Sequence, residues 1–191
     1  MQPRILLFDF ETTGLQAGYH EPIQIAALLV TPELEEVASF ETLIRPLRPE
    51  NASPEALEIH KKPLEELLAA PHPADVLKRL RDFAEPAGSA IACGFNVRFD
   101  LRFLAALEQE HGITIPREAD PILCARVAYL DSKGLSIYTK GTKLTNLCGL
   151  YGIDTEGAHD ALADVRMTLK LLRAMKEENP ASFAFLEPIT I

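Results

Sequence analysis

Residues 5–15 read ILLFDFETTGL, an apolar run that carries two carboxylates and then breaks at Gly14. Side chains alternate between the two faces of a strand, so Asp9 and Glu11 are predicted to share one face at its carboxyl end. A nearly continuous apolar run is typical of a central strand covered on both sides, where an unpaired charge is costly. We therefore expect a cationic group beside these acids, although an acid pair alone can also mark the point where a strand reaches water.

The composition is that of an ordinary globular domain. The chain has 191 residues, of which 47% are hydrophobic and 25% are charged, and this is enough for one domain with its own core. The net charge of −9 argues against a broad surface for binding polyanions. It does not exclude a nucleic-acid enzyme, because a short single-stranded end can be held by stacking and by bound cations.

Other features of the sequence predict a cytoplasmic protein without a membrane partner. No apolar run approaches the about 20 residues of a membrane-spanning helix, and the N-terminal residues lack a signal-peptide pattern. Cys93, Cys124 and Cys148 are scattered and show no CxxC spacing. We expect them to be small buried side chains that form neither a disulfide nor a zinc site.

The remaining pattern predicts a mixed α/β sheet in a single domain. Alternating or continuous apolar runs predict further strands at residues 23–30, 36–44 and 89–95. Periodicity and capping signals predict helices that start near 53 and 60 and others over 73–83, 96–111, 121–130, 144–151 and 161–178. We place the domain at residues 1–178. Phe183, Phe185 and Leu186 favour docking of the tail, residues 179–191, but do not tell whether it docks on this domain or on a partner.

Two predicted helix starts repeat one arrangement. Asn96 and Asp160 are suited to the N-cap position, and Asp100 and Asp164 then fall one turn into their helices. The positive end of a helix favours the ionised carboxylate, which is the form that binds metal ions. Each acid taken alone is equally well explained as a carboxylate that stabilises its own helix.

His159 stands just before the second of these caps. The side chains before the cap and one turn into the helix can meet, so His159 and Asp164 are predicted to lie close together. An imidazole beside a carboxylate is suited to proton transfer near neutral pH. Taken alone, His159 could also be an ordinary loop residue.

The order of these motifs resembles that of the DEDDh, or DnaQ-like, 3′-5′ exonucleases. The resemblance spans nearly the whole chain, and it is closest to the nuclease core of bacterial exonuclease I. The motifs are Asp9-x-Glu11, the stretch from Gly94 to Asp100, and the stretch from His159 to Asp164. The family's tyrosine variant places Tyr at the position of Asp160, so the histidine subclass is indicated.

This resemblance implies a ribonuclease H-like mixed sheet with helices on both faces, and a catalytic site in which acids hold two Mg²⁺ or Mn²⁺ ions. His159 is then the general base that takes a proton from the attacking water. Substrate contacts are implied at Thr12, Leu15, Ile59, His60 and Asn96, although His60 could equally be a surface helix residue. The implied catalytic residues are Asp9, Glu11, Asp100, His159 and Asp164, and the four acids among them are the implied metal ligands.

The resemblance implies hydrolysis of single-stranded DNA from its 3′ end, in a role such as DNA repair, with release of nucleoside 5′-monophosphates. The motifs do not distinguish the two sugars, so the same chemistry on RNA, as in oligoribonuclease or ribonuclease T, stays open. A third possibility is a proofreading subunit that acts within a polymerase complex, with a polymerase or repair protein as its partner.

Overall fold

The computed structural model describes the backbone of residues 4–186 and the side chains of residues 4–183. Its centre is a five-stranded mixed sheet in the order β3-β2-β1-β4-β5. The strands are β1 (Ile5–Thr12), β2 (Pro22–Val30), β3 (Glu36–Leu43), β4 (Ile91–Gly94) and β5 (Leu123–Cys124). Strands β1, β2 and β3 are antiparallel neighbours, whereas β4 runs parallel to both β1 and β5. The predicted mixed α/β sheet is therefore confirmed.

Helices cover both faces of this sheet, as the resemblance implied. They are α1 (Pro54–His60), α2 (Leu64–Ala69), α3 (Pro73–Ala84), α4 (Val97–His111), α5 (Ala125–Ser132), α6 (Leu144–Leu150) and α7 (Ala161–Glu178). Residues Ile5 and Leu7 of β1 belong to a core cluster shared with α5, α6 and α7, whereas Leu6 and Phe8 belong to a cluster on the other face, shared with α3 and α4. Because β1 is buried on both faces, its apolar run is nearly continuous.

Several predictions about helix ends and buried residues are confirmed. The hydroxyl of Ser53 accepts the backbone N–H of Ala56 and caps α1, with Pro54 in the first turn. Gly112 ends α4 in the left-handed conformation, with a φ of 66°. Cys93 and Cys148 are buried in the core as expected, whereas Cys124, at the end of β5, is only half-buried. None of the helices within residues 4–186 is long and apolar enough to cross a membrane.

Two local predictions are wrong. The predicted helix over 121–130 begins only at Ala125, because Leu123 and Cys124 pair with β4 and form the fifth strand. This pairing joins segments about thirty residues apart, and a two-residue strand leaves no periodic pattern of its own. The predicted helix start at His60 is also wrong, since His60 ends α1 and Lys61 turns the chain with a φ of 52° before α2.

The tail begins with a short 3-10 helix, Pro180–Leu186, that packs against α7. Phe183 has only 1% of its surface exposed and belongs to the core cluster on the α7 face. The side chains of Phe185 and Leu186, and residues 187–191, lie outside the part that the structure describes. Docking of the whole tail therefore stays a prediction, which Phe183 supports.

We expect Phe183→Ala to lower the free energy of unfolding by about 3–5 kcal/mol, because it leaves a cavity beside α7. The measurement is urea unfolding followed by circular dichroism. Leu150→Ala is the control, since Leu150 is 70% exposed, and it should cost less than about 0.5 kcal/mol. Equal, small effects of both substitutions would show that the tail contributes nothing to the domain.

Candidate active site

Asp9 and Glu11 lie at the carboxyl end of β1, on the face that α7 covers. They pair across the sheet with Ala26 and Gln24 of β2. Both acids are half-buried, because the strand leaves the core at this point and α7 stands over it. The alternation of the strand therefore holds the two carboxylates side by side, as predicted.

Asp164 reaches the same place from the first turn of α7. Asp160 caps this helix, since its Oδ1 accepts the backbone N–H groups of Leu162 (3.2 Å) and Ala163 (3.4 Å). The cap fixes the start of the helix and so directs Asp164 toward β1. Ligand oxygens of Asp9, Glu11 and Asp164 all lie within 4.8 Å of one another.

Asp100 approaches from the other side, in the first turn of α4. This helix follows β4, whose carboxyl end meets that of β1 because the two strands are parallel. Asp100 is only 3% exposed, and its Oδ1 accepts the backbone N–H of Phe10 at 3.2 Å. Asn96 precedes the helix as predicted, but its side chain is exposed and makes no capping hydrogen bond.

The four carboxylates repel one another and are poorly solvated. Burial, and then the charges of Asp100 and Asp164, raise the pKa of Asp9 well above its usual value. Burial and the charge of Asp164 raise the pKa of Glu11 to about 8, although Lys62 acts in the opposite direction. The free site therefore holds protons at pH values where an exposed carboxyl would be ionised.

The pKa values of Asp100 and Asp164 are raised as well. Burial raises the pKa of Asp100 to about 7, against the stabilising hydrogen bond from the Phe10 amide. Burial likewise raises the pKa of Asp164 to about 6, although the amide and the charge of His159 counteract it. A divalent cation would remove the repulsion that all four acids share, and oxygen ligands of this kind are those that Mg²⁺ and Mn²⁺ prefer. The donor set therefore fits such a cation.

His159 lies beside Asp164, as the sequence predicted, but the hydrogen bond between them uses the backbone. The N–H of His159 donates to Asp164 Oδ1 at 3.3 Å, and His159 adopts a positive φ of 71°. Its imidazole is exposed to solvent. This conformation was not evident from the sequence.

A cavity of about 410 Å³ opens next to Glu11. Three of the five predicted substrate contacts, Thr12, Leu15 and Ile59, line it, and the side chains of Leu15 and Ile59 are 81% and 52% exposed. The volume lies in the range typical of small-ligand sites, and the lining is largely apolar, which suits a nucleobase or a sugar.

His60 and Asn96 do not line this cavity. His60 is only 6% exposed, so the alternative of a surface helix residue is wrong. Its Nδ1 accepts the backbone N–H of Lys62 at 3.0 Å, and burial lowers its pKa. Its buried Nε2 has no hydrogen-bond partner among the residues that the structure describes.

Three residues near the site were missed by the sequence analysis. His20 lines the cavity, and its ring leaves no room at Gly14, where a Cβ would lie 2.3 Å from it. Gln24 and Lys62 both bind Asp160 Oδ2. Gln24 could have been found in the sequence, since it is the polar residue of an otherwise apolar strand. No local sequence pattern distinguishes Lys62 or His20 from ordinary surface residues.

The chain is similar to known exonucleases along most of its length. The family profile described as "Exonuclease", of the RNase T type, matches residues 6–172. Among curated proteins, the DNA polymerase III PolC-type of Latilactobacillus sakei is 34% identical over 91% of this chain, and that of Bacillus subtilis is 30% identical over 91%. The chain spans only 11% of the length of these two polymerases.

Solved structures of low sequence identity share the fold. A complex of E. coli exonuclease I with single-stranded DNA, in its zinc-bound form, superposes with a TM-score of 0.80 at 22% identity, over 97% of this chain and 43% of that one. A 3′-exonuclease described in the recognition of the histone mRNA stem-loop superposes with a TM-score of 0.77 at 20% identity. The superposition covers 94% of this chain and 84% of that one. The ribonuclease H-like core that the sequence implied is confirmed by these superpositions.

We expect the metal-free protein to lose stability as the pH rises from about 5 to about 8. Carboxyls in the unfolded chain titrate near pH 4, whereas Glu11, Asp100 and Asp164 have pKa values of about 8, 7 and 6. The folded state therefore binds more protons across this range, and stability falls as they are lost. Added Mg²⁺ or Mn²⁺ should raise Tm more at pH 8 than at pH 5.

Thermal unfolding in EDTA and in excess metal measures this effect. Glu11→Gln should reduce both the pH dependence and the stabilisation by metal, whereas Asp82→Asn, at an exposed position of α3, should change neither. A Tm that is equally raised by metal in the Glu11→Gln protein would contradict the assignment of the cation to this cluster.

Proposed function

The chain belongs to the exonuclease family, as one of its DnaQ-like members, and on this premise we propose that it is a 3′-5′ exonuclease for single-stranded DNA ends. The observation that carries the proposal is the convergence of four acids from three elements. Asp9, Glu11 and Asp164 have ligand oxygens within 4.8 Å of one another, and buried Asp100 stands next to them. Charges in such a cluster are costly unless cations or protons neutralise them, and a bound cation is what the family resemblance implies.

In this proposal Asp9, Glu11, Asp100 and Asp164 hold two Mg²⁺ or Mn²⁺ ions. When bound, such ions stabilise negative charge on the phosphate and on the leaving oxygen. His159 accepts a proton from the attacking water through its exposed imidazole. The water oxygen then bonds to the terminal phosphorus while the bond to the 3′ oxygen of the preceding nucleotide breaks. That oxygen takes up a proton from solvent, and a nucleoside 5′-monophosphate leaves.

The cavity beside Glu11 supports a reaction at a terminal nucleotide. A terminal nucleotide in the cavity would rest against Leu15 and Ile59, with the backbone near Thr12, while its phosphate reaches the acids. The apolar lining suits contact with any base, so we expect little dependence on sequence. His60 and Asn96 stay proposed contacts, and they would act from outside this cavity.

The PolC relatives favour a second function, proofreading within a polymerase complex. They are DNA polymerases by name, and their similarity to this chain covers 91% of it. A proofreading subunit should excise a mismatched 3′ nucleotide faster when its polymerase is present. RNA as the substrate is the other alternative, since one structural neighbour is a 3′-exonuclease described as recognising the histone mRNA stem-loop.

The test is digestion of single-stranded DNA and RNA of matched sequence, labelled at the 3′ or at the 5′ end. We expect a ladder that shortens from the 3′ end in Mg²⁺ or Mn²⁺ and no cleavage in EDTA. The preferred sugar decides between the DNA and RNA alternatives. A chain that cuts neither strand under any metal would not be a nuclease on its own, and the polymerase alternative would then be examined.

Substitutions test the proposed roles of the acids and of His159. Asp9→Asn and Asp164→Asn should reduce hydrolysis to background, and His159→Ala should slow it by about 10²- to 10⁴-fold while metal still stabilises the protein. Asp82→Asn serves as the matched control. Normal hydrolysis by the Asp9→Asn protein would overturn the proposed metal site.

A further inference from the structure

Lys62 lies in the turn between α1 and α2, and its side chain is turned inward to the start of α7. Its Nζ is 3.3 Å from Asp160 Oδ2, and only 15% of its side-chain surface is exposed. Its backbone N–H donates to His60 Nδ1 at 3.0 Å. One residue thus contacts both the end of α1 and the cap of α7.

Gln24 completes this arrangement from β2. Its amide nitrogen donates to the same oxygen of Asp160 and to Glu41 Oε1, each at 2.9 Å, and its amide oxygen accepts the N–H of Ala161 at 3.2 Å. Gln24 is only 3% exposed. Asp160 therefore receives two donors on Oδ2, while its Oδ1 caps the helix.

Asp160, the N-cap of α7, lies between two residues of the proposed catalytic site. His159 directly precedes Asp160, and Asp164 follows one turn later, so any movement of Asp160 shifts both. On the other side of Lys62, α1 ends with Ile59, which lines the cavity, and with buried His60. The ion pair is a direct polar contact between the α1–α2 turn and the start of α7.

We propose that Lys62 is a positioning residue, which through Asp160 fixes His159 and Asp164 relative to the cavity that receives the terminal nucleotide. This inference rests on the proposed function but assigns a residue that the catalytic motifs do not include. An alternative is that Lys62 leaves Asp160 and binds a phosphate of the substrate. The shared hydrogen bonds of Asp160 and the low exposure of Lys62 favour the positioning role.

The test compares Lys62→Met with Lys61→Met. Methionine keeps much of the length of the side chain and removes the charge. Lys61 is the neighbouring lysine, is exposed, and takes part in no ion pair of the described residues. With metal saturating, Lys62→Met should lower kcat for a single-stranded oligonucleotide about tenfold or more and leave KM within about twofold, because the reacting groups are displaced.

Lys61→Met should leave both constants unchanged, and Lys62→Arg, which restores the charge, should recover most of kcat. A rise in KM with unchanged kcat, together with a weaker dependence of KM on salt, would overturn the positioning role and indicate a phosphate contact. Equal kinetics of the Lys62→Met and wild-type proteins would also overturn it. Because wild type is measured alongside, an inactive wild type would count against the proposed function alone.

A second measurement does not depend on activity. Hydrogen exchange at the amides of Leu162 and Ala163, which donate to Asp160 Oδ1, reports on the cap. In metal-free protein, Lys62→Met should accelerate exchange at these amides roughly two- to fivefold, and Lys61→Met should not. Unchanged exchange at both amides would show that Lys62 does not hold the cap.

Discussion

Burial of four neighbouring carboxylates at the end of one strand is the constraint on which the rest of the site depends. Desolvation and neighbouring anions raise the pKa of each of them, and Glu11 reaches about 8. Charges in such a place are tolerated only if a cation or a proton accompanies them. The burial of these acids therefore destabilises the end of the central strand, and a bound cation would remove this destabilisation.

The fold concentrates these acids by simple means. Strand β1 supplies two of them through its alternation, and it is flanked by antiparallel β2 and parallel β4. Because β4 is parallel to β1, α4 begins beside the end of β1 and brings Asp100 to it. Helix α7 crosses the other face and supplies Asp164 from its first turn. The core on both faces of β1 keeps these three elements in place.

Polar contacts around the acids determine how accurately they are placed. Burial works against ionisation of Asp160, but the hydrogen bonds of Gln24 and Ala163 and the charge of Lys62 outweigh it and lower its pKa. An ionised Asp160 that accepts several hydrogen bonds stabilises the N-terminus of α7. A similar logic applies to Asp100, whose orientation is set by the Phe10 amide. Sites of this kind require support from a surrounding shell, because small displacements of reacting groups are costly.

The sequence by itself determined the central strand, the mixed sheet and the pair Asp9 and Glu11, since these follow from local alternation and burial. It also indicated Asp164 and Asp100, because capping signals fix the first turn of a helix. Only the tertiary structure decided that β5 exists, that His60 is buried and that His159 contacts Asp164 through its backbone. It alone revealed Lys62 and Gln24 on Asp160, because these contacts join residues 98 and 136 positions apart, and no local pattern encodes such a distance.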